Sequence, residues 1–86
     1  AAQQALAKFG ASTNGSRVLN GSTTLHEALE RSLADWLGSE DCVLFPTGYQ
    51  ACMGVVATVG ARASAVVLDR EAHASLFDGA RQSGAR

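Results

Sequence analysis

The sequence predicts an α/β fold in which a βαβ portion follows a polar loop and an amphipathic helix. Three observations carry that reading. Cys42-Val43-Leu44-Phe45 and Ala65-Val66-Val67-Leu68 are short, unbroken apolar runs, the pattern of strands covered on both faces. Between them an apolar stretch from Gln50 to Val59, ending at Gly60, has the length and the Ala, Met and Gln content of a helix. Ahead of them Leu25, Leu29, Leu33 and Leu37 recur at helical spacing.

Taken in order, Ala2-Gln3-Gln4-Ala5-Leu6-Ala7-Lys8-Phe9 reads as the last turns of a helix stopped at Gly10. Residues 10–23 are rich in Gly, Ser, Thr and Asn and are expected to form an ordered loop. Thr24 with Glu27 three positions on has the form of a capping box, so a helix is expected over residues 24–37, closed by Gly38. Glu27 and Arg31 then stand as an i,i+4 pair worth a few tenths of a kcal/mol. After the first predicted strand, Thr47-Gly48-Tyr49 opens the apolar helix. After the second, residues 69–72 lead into a further helix starting near His73 or Ala74 and still in progress at Arg81. Residues 1–23 thus form a helix end and loop, and residues 24–86 a partial domain, with both ends expected to be cut short.

The composition excludes several classes of function. Hydrophobic residues make up 47% and charged residues 17%, the balance of a folded chain. A net charge of −1 offers no electrostatic draw for nucleic acid, and no apolar run approaches the roughly 20 residues that span a bilayer. Cys42 and Cys52 lack the pairing and spacing of a disulfide framework or a zinc site, which points to a reducing, cytoplasmic setting. At 86 residues a self-sufficient enzyme is not expected.

Chemistry concentrates at the two strand ends, where the following helix presents its amino terminus. Unpaired N–H groups and a partial positive charge make such a terminus an anion site. Gly48 lacks the Cβ that would keep a phosphate oxygen away from the main chain, and Thr47 adds a hydroxyl. Locally, the same residues also fit a plain cap and a tight turn. His73 could stack on a planar ring or move a proton, and equally fits as a helix-start residue bonded to a neighbour. His26 reads as a surface or packing residue. Glu27, Glu30, Asp35, Glu40 and Asp41 read as a solvated face, and Cys52 as an inert core thiol.

The ordered set Gly10-Ala11-Ser12-Thr13-Asn14-Gly15-Ser16-Arg17, Leu25-His26-Glu27-x-x-Glu30, Leu37-Gly38-x-Glu40-Asp41, Leu44-Phe45-x-Thr47-Gly48-Tyr49-x-Ala51 and His73-Ala74-Ser75-Leu76-x-Asp78-Gly79 resembles the α-oxoamine synthases. The likeness spans nearly the whole chain. It implies the βαβ portion of the large domain of a fold-type I pyridoxal-phosphate-dependent transferase, with pyridoxal 5'-phosphate (PLP) as cofactor. It further implies a homodimer that condenses an amino acid with an acyl thioester, acyl-CoA or acyl-carrier protein, with decarboxylation. By position, Gly48 and Tyr49 would hold the cofactor phosphate, with the Thr47 hydroxyl as an added cofactor-binding donor, and His73 would stack on the ring, with a catalytic role in proton transfer open to it.

The family's Schiff-base lysine lies downstream of the matched region, and Lys8, the one lysine here, stands in the wrong place for it. Cys52 replaces the asparagine usual after Gly-Tyr-x-Ala, and Ala72 precedes His73 where Asn or Ser is usual; both bear on substrate identity. Two other readings stay open: a non-catalytic scaffold subunit of such an enzyme, and an aminotransferase or lyase using the same cofactor.

Overall fold

The computed structural model describes residues 1–86. Four helices follow one another: α1 (Ala2–Phe9), α2 (Thr24–Leu37), α3 (Gly48–Gly60) and α4 (Ala74–Ser83). Contacts divide the chain into two compact units, Ala1–Leu44 with α1 and α2, and Phe45–Arg86 with α3 and α4.

In the first unit, α1 and α2 hold the bounds expected from the sequence. Thr23, in extended conformation, precedes α2, and Gly38 ends it with φ 66° and ψ 29°, its N–H directed to the carbonyls of Ala34 and Asp35. That left-handed geometry is open to glycine at little steric cost. The capping box is displaced by one residue from the expected Thr24 and Glu27. The Thr23 N–H donates to His26 Nδ1 at 3.2 Å, and Thr23 Oγ1 lies 2.9 Å from the same nitrogen. His26 therefore closes the helix start rather than serving as a surface or packing residue. An imidazole nitrogen here does the work of the Glu or Gln side-chain oxygen of the usual box. Glu27 and Arg31 form no ion pair; the salt bridges are Arg17 with Glu30, Arg70 with Glu71 and Arg81 with Asp78.

Across an apolar cavity of about 540 Å³, Leu6 and Phe9 of α1 face Leu25 and Leu29 of α2 and Leu44. This unit therefore packs loosely, and Ala34 is the one buried hydrophobic residue.

In the second unit α3 packs directly on α4. The approach is close because Gly79 and Gly60 have no side chain at the contact. A Cβ on Gly79 would stand 2.8 Å from the Met53 carbonyl oxygen, and one on Gly60 would stand 2.8 Å from Ser83 Cβ. Thr47 caps α3 by accepting the Gln50 N–H at 3.1 Å, so the helix starts at Gly48, two residues ahead of the predicted apolar stretch.

The expected βαβ portion is absent. The protein is all helix and loop, and neither residues 42–45 nor residues 65–68 form a strand. Nor are these runs buried on both faces, since Val43 is 67% and Val67 94% exposed. A strand exists only through a ladder with a neighbour, and an apolar run cannot supply its own. Here the backbone of Leu44 is engaged by side chains instead: its N–H donates to Glu30 Oε1 at 2.7 Å and its carbonyl accepts from Arg17 Nη1 at 3.2 Å. In the second run, the Val66 N–H donates to the Arg86 carbonyl at 2.8 Å.

Candidate functional site

The second unit brings all four predicted residues, Thr47, Gly48, Tyr49 and His73, into one neighbourhood by way of two helix starts. Thr47 spends its hydroxyl on the Gln50 N–H, and its carbonyl accepts the Ala51 N–H at 3.1 Å. The N–H groups of Gly48 and Tyr49 remain as the free donors of the first turn. Gly48 is exposed, and a Cβ built there would meet nothing within 4 Å. Open space therefore lies beside the free amides, which is the room an anion needs.

His73 caps α4 in the same manner. Its Nδ1 accepts the Ser75 N–H at 3.3 Å and lies 2.8 Å from Ser75 Oγ. Because a backbone N–H points at Nδ1, the neutral ring carries its proton on Nε2. Ser75 is fully buried, and this pairing satisfies its hydroxyl. The imidazole is exposed yet held in one orientation. The Tyr49 and His73 rings meet edge to face, with centroids 5.9 Å apart and planes at 73°.

The Tyr49 hydroxyl donates to Asp78 Oδ2, and Arg81 Nη1 donates to Asp78 Oδ1 at 3.2 Å. The carboxylate at its hydroxyl raises the Tyr49 pKa above the ordinary phenol value, with desolvation adding to it. Tyr49 is therefore a neutral group whose hydroxyl is already committed, leaving its main-chain N–H for a ligand.

The first unit holds a second polar cluster. Arg17 grips Glu30 with both terminal nitrogens, Nη2 to Oε2 at 3.0 Å, while Glu30 and Arg17 also take the two backbone groups of Leu44. Glu30 is thus no part of a solvated face; its side chain is 15% exposed. The Arg17 guanidinium first, and the Leu44 N–H second, hold its carboxyl down at about 2 against an ordinary 4.5.

A depressed carboxylate stabilises the fold above its unfolded pKa, and that contribution drains away as pH falls through the folded value. For Glu30 the window runs from the ordinary 4.5 down to about 2. An NMR titration of the Glu30 carboxyl carbon should therefore give a midpoint near 2. A midpoint in the ordinary carboxylate range would mean that Arg17 does not hold it.

A family model described as aminotransferase class I and II matches residues 1–86. The chain belongs to that family. Among curated relatives, serine palmitoyltransferase of Sphingomonas paucimobilis is 42% identical over 85 residues, covering 99% of this chain and 20% of that protein. 8-Amino-7-oxononanoate synthase of Alkalilimnicola ehrlichii is 51% identical over 77 residues, covering 90% and 20%. A solved Sphingomonas wittichii serine palmitoyltransferase superposes with a TM-score of 0.86 at 42% identity, over 96% of this chain and 21% of that one. A serine palmitoyltransferase from S. paucimobilis, solved with bound PLP and myriocin, also gives 0.86. The chain is homologous to the α-oxoamine synthases its motifs resemble, and it spans about a fifth of the length of these relatives.

Thr47, Gly48, Tyr49 and His73 are legible in the sequence, whereas Asp78, Ser75 and the Arg17 with Glu30 pair are not, and Cys52, expected in the core, is exposed. Each missed partner did stand inside a quoted motif. What the motifs lacked was any sign of pairing across 29 residues, as between Tyr49 and Asp78, or 13, as between Arg17 and Glu30.

Proposed function

We propose that this chain carries cofactor-binding residues of a PLP-dependent enzyme that condenses an amino acid with an acyl thioester, with decarboxylation to an α-oxoamine. The observation that carries the proposal is the amino end of α3, where the free N–H groups of Gly48 and Tyr49 face open space next to the exposed His73. Membership of the aminotransferase class I and II family and homology to serine palmitoyltransferase support it.

In this reading, PLP supplies an electron sink for a carbanion at the amino acid's α-carbon. The chain's own part is binding and orientation. The main-chain N–H groups of Gly48 and Tyr49 would donate to the phosphate, aided by the α3 dipole, and Thr47 fixes the turn by capping it. His73, held by Ser75 through Nδ1, would offer its imidazole face to the cofactor ring and keep an Nε2 proton available. The residues present fit a phosphate and a ring and include no lysine at the site.

The proposed whole is a homodimer with a separate lysine, acting on soluble amino-acid and thioester substrates in the cytoplasm, with residues 24–86 in its cofactor-binding domain. No helix here is long and apolar enough to cross a membrane. Support for a larger assembly comes from apolar side chains left in solvent, including Val18 at 93%, Leu19 at 82% and Trp36 at 80% exposed.

Adding PLP to the whole protein should produce a visible absorbance band, and borohydride reduction followed by peptide mapping should label one lysine outside these 86 residues. Absence of any labelled lysine would refute the catalytic reading.

A further inference from the structure

We propose that Asp78 is a positioning residue of the candidate cofactor site: its carboxylate holds the Tyr49 hydroxyl and so fixes the Tyr49 ring against His73 at the amino end of α3. The inference rests on the functional reading above and extends it to a residue that acts through Tyr49.

Four observations converge. Asp78 adjoins Gly79, one of the tight contacts of α4 on α3, so the backbone carrying the carboxylate has little freedom to move. Arg81 Nη1, at 3.2 Å from Oδ1, orients the carboxylate and offsets its charge. The other oxygen accepts the Tyr49 hydroxyl. Tyr49 is 39% exposed and is the second residue of α3, so apart from this bond and its edge contact with His73 little restrains its ring.

The arrangement has a chemical consequence. With its hydroxyl given to Asp78, the Tyr49 ring is tethered at its far end as well as through its backbone. Its raised pKa agrees with this. The ring then serves as a wall that keeps the first turn of α3 and the His73 imidazole in fixed relation. Holding such a site ready lowers the ordering penalty that a ligand would otherwise meet.

The test is a double-mutant cycle on PLP affinity in the whole protein, read by absorbance titration. Asp78→Ala and Tyr49→Phe should each weaken PLP binding by roughly tenfold, and the double variant should be no weaker than either alone. Asp78→Asn, which keeps an acceptor oxygen, should restore most of the affinity. In Asp78→Ala the Tyr49 phenol, isolated by difference against Tyr49→Phe, should titrate closer to the ordinary range.

Losses that simply add, or unchanged affinity in Asp78→Ala, would overturn the inference while leaving the functional reading in place. A wild-type protein that binds no PLP would overturn both. Should circular dichroism show Asp78→Ala to be unfolded, Tyr49→Phe and Asp78→Asn decide, because unchanged affinity in Tyr49→Phe is then the refuting result.

Discussion

Gly79→Val is expected to destabilise the protein by about 3 kcal/mol, the upper part of the range for forcing volume into a packed contact. Glycine inside a helix ordinarily costs about 1 kcal/mol relative to alanine, so helix propensity alone would favour a replacement. The packing argues the other way. A Cβ at Gly79 would stand 2.8 Å from both the Met53 carbonyl oxygen and Val56 Cβ, and a carbonyl within α3 cannot swing aside as a side-chain tip can. The helices would have to separate, and α3 against α4 is the main contact of this unit.

Gly54→Ala is the matching control. Its Cβ would meet the Phe45 ring at 3.2 Å, an adjustable side-chain edge, so the propensity gain and the small repacking should nearly cancel. Thermal unfolding of the two variants checks both. Equal midpoints for Gly79→Val and wild type would show that the close approach of α3 and α4 carries no stability.

Gly48→Ala is expected to weaken PLP binding by roughly ten- to a hundredfold while leaving the fold unchanged, the scale of one hydrogen bond to a charged group. The contrast with Gly79 is the basis of the forecast. At Gly48 an added methyl meets nothing within 4 Å of the chain itself, and the residue sits in the first turn of α3, where alanine is welcome. The same methyl would occupy the space through which a phosphate oxygen reaches the Gly48 and Tyr49 amides. PLP titration read with a melting curve separates the two effects. Full PLP affinity in Gly48→Ala would remove the α3 amino end from the cofactor site.

Local signals carried far along this chain. The leucine stripe and Gly38 placed α2 at residues 24–37, because a helix closes its own hydrogen bonds within a few residues and its start and stop are written nearby. For the same reason Thr47 and His73 were found at helix starts and took up capping bonds there. The two apolar runs failed as strands because their pairing depends on a partner that an apolar pattern does not name. The pattern of a covered strand describes surroundings, and in this chain Val43 and Val67 face solvent.

By itself, then, the amino-acid sequence determined the four helices, the family, and the residues at the α3 and α4 starts. Those features rest on hydrogen bonds and motifs that close over short stretches of chain. Only the tertiary structure decided that His26 rather than Glu27 completes the α2 cap, that Arg17 and Glu30 take the backbone of Leu44, and that Asp78 holds Tyr49. The last two join residues 13 to 29 positions apart, and the cap turns on a one-residue shift in where the chain enters the helix. Such choices are settled by which groups meet in three dimensions, since a buried or half-buried charge or N–H takes whatever partner the packing brings within reach.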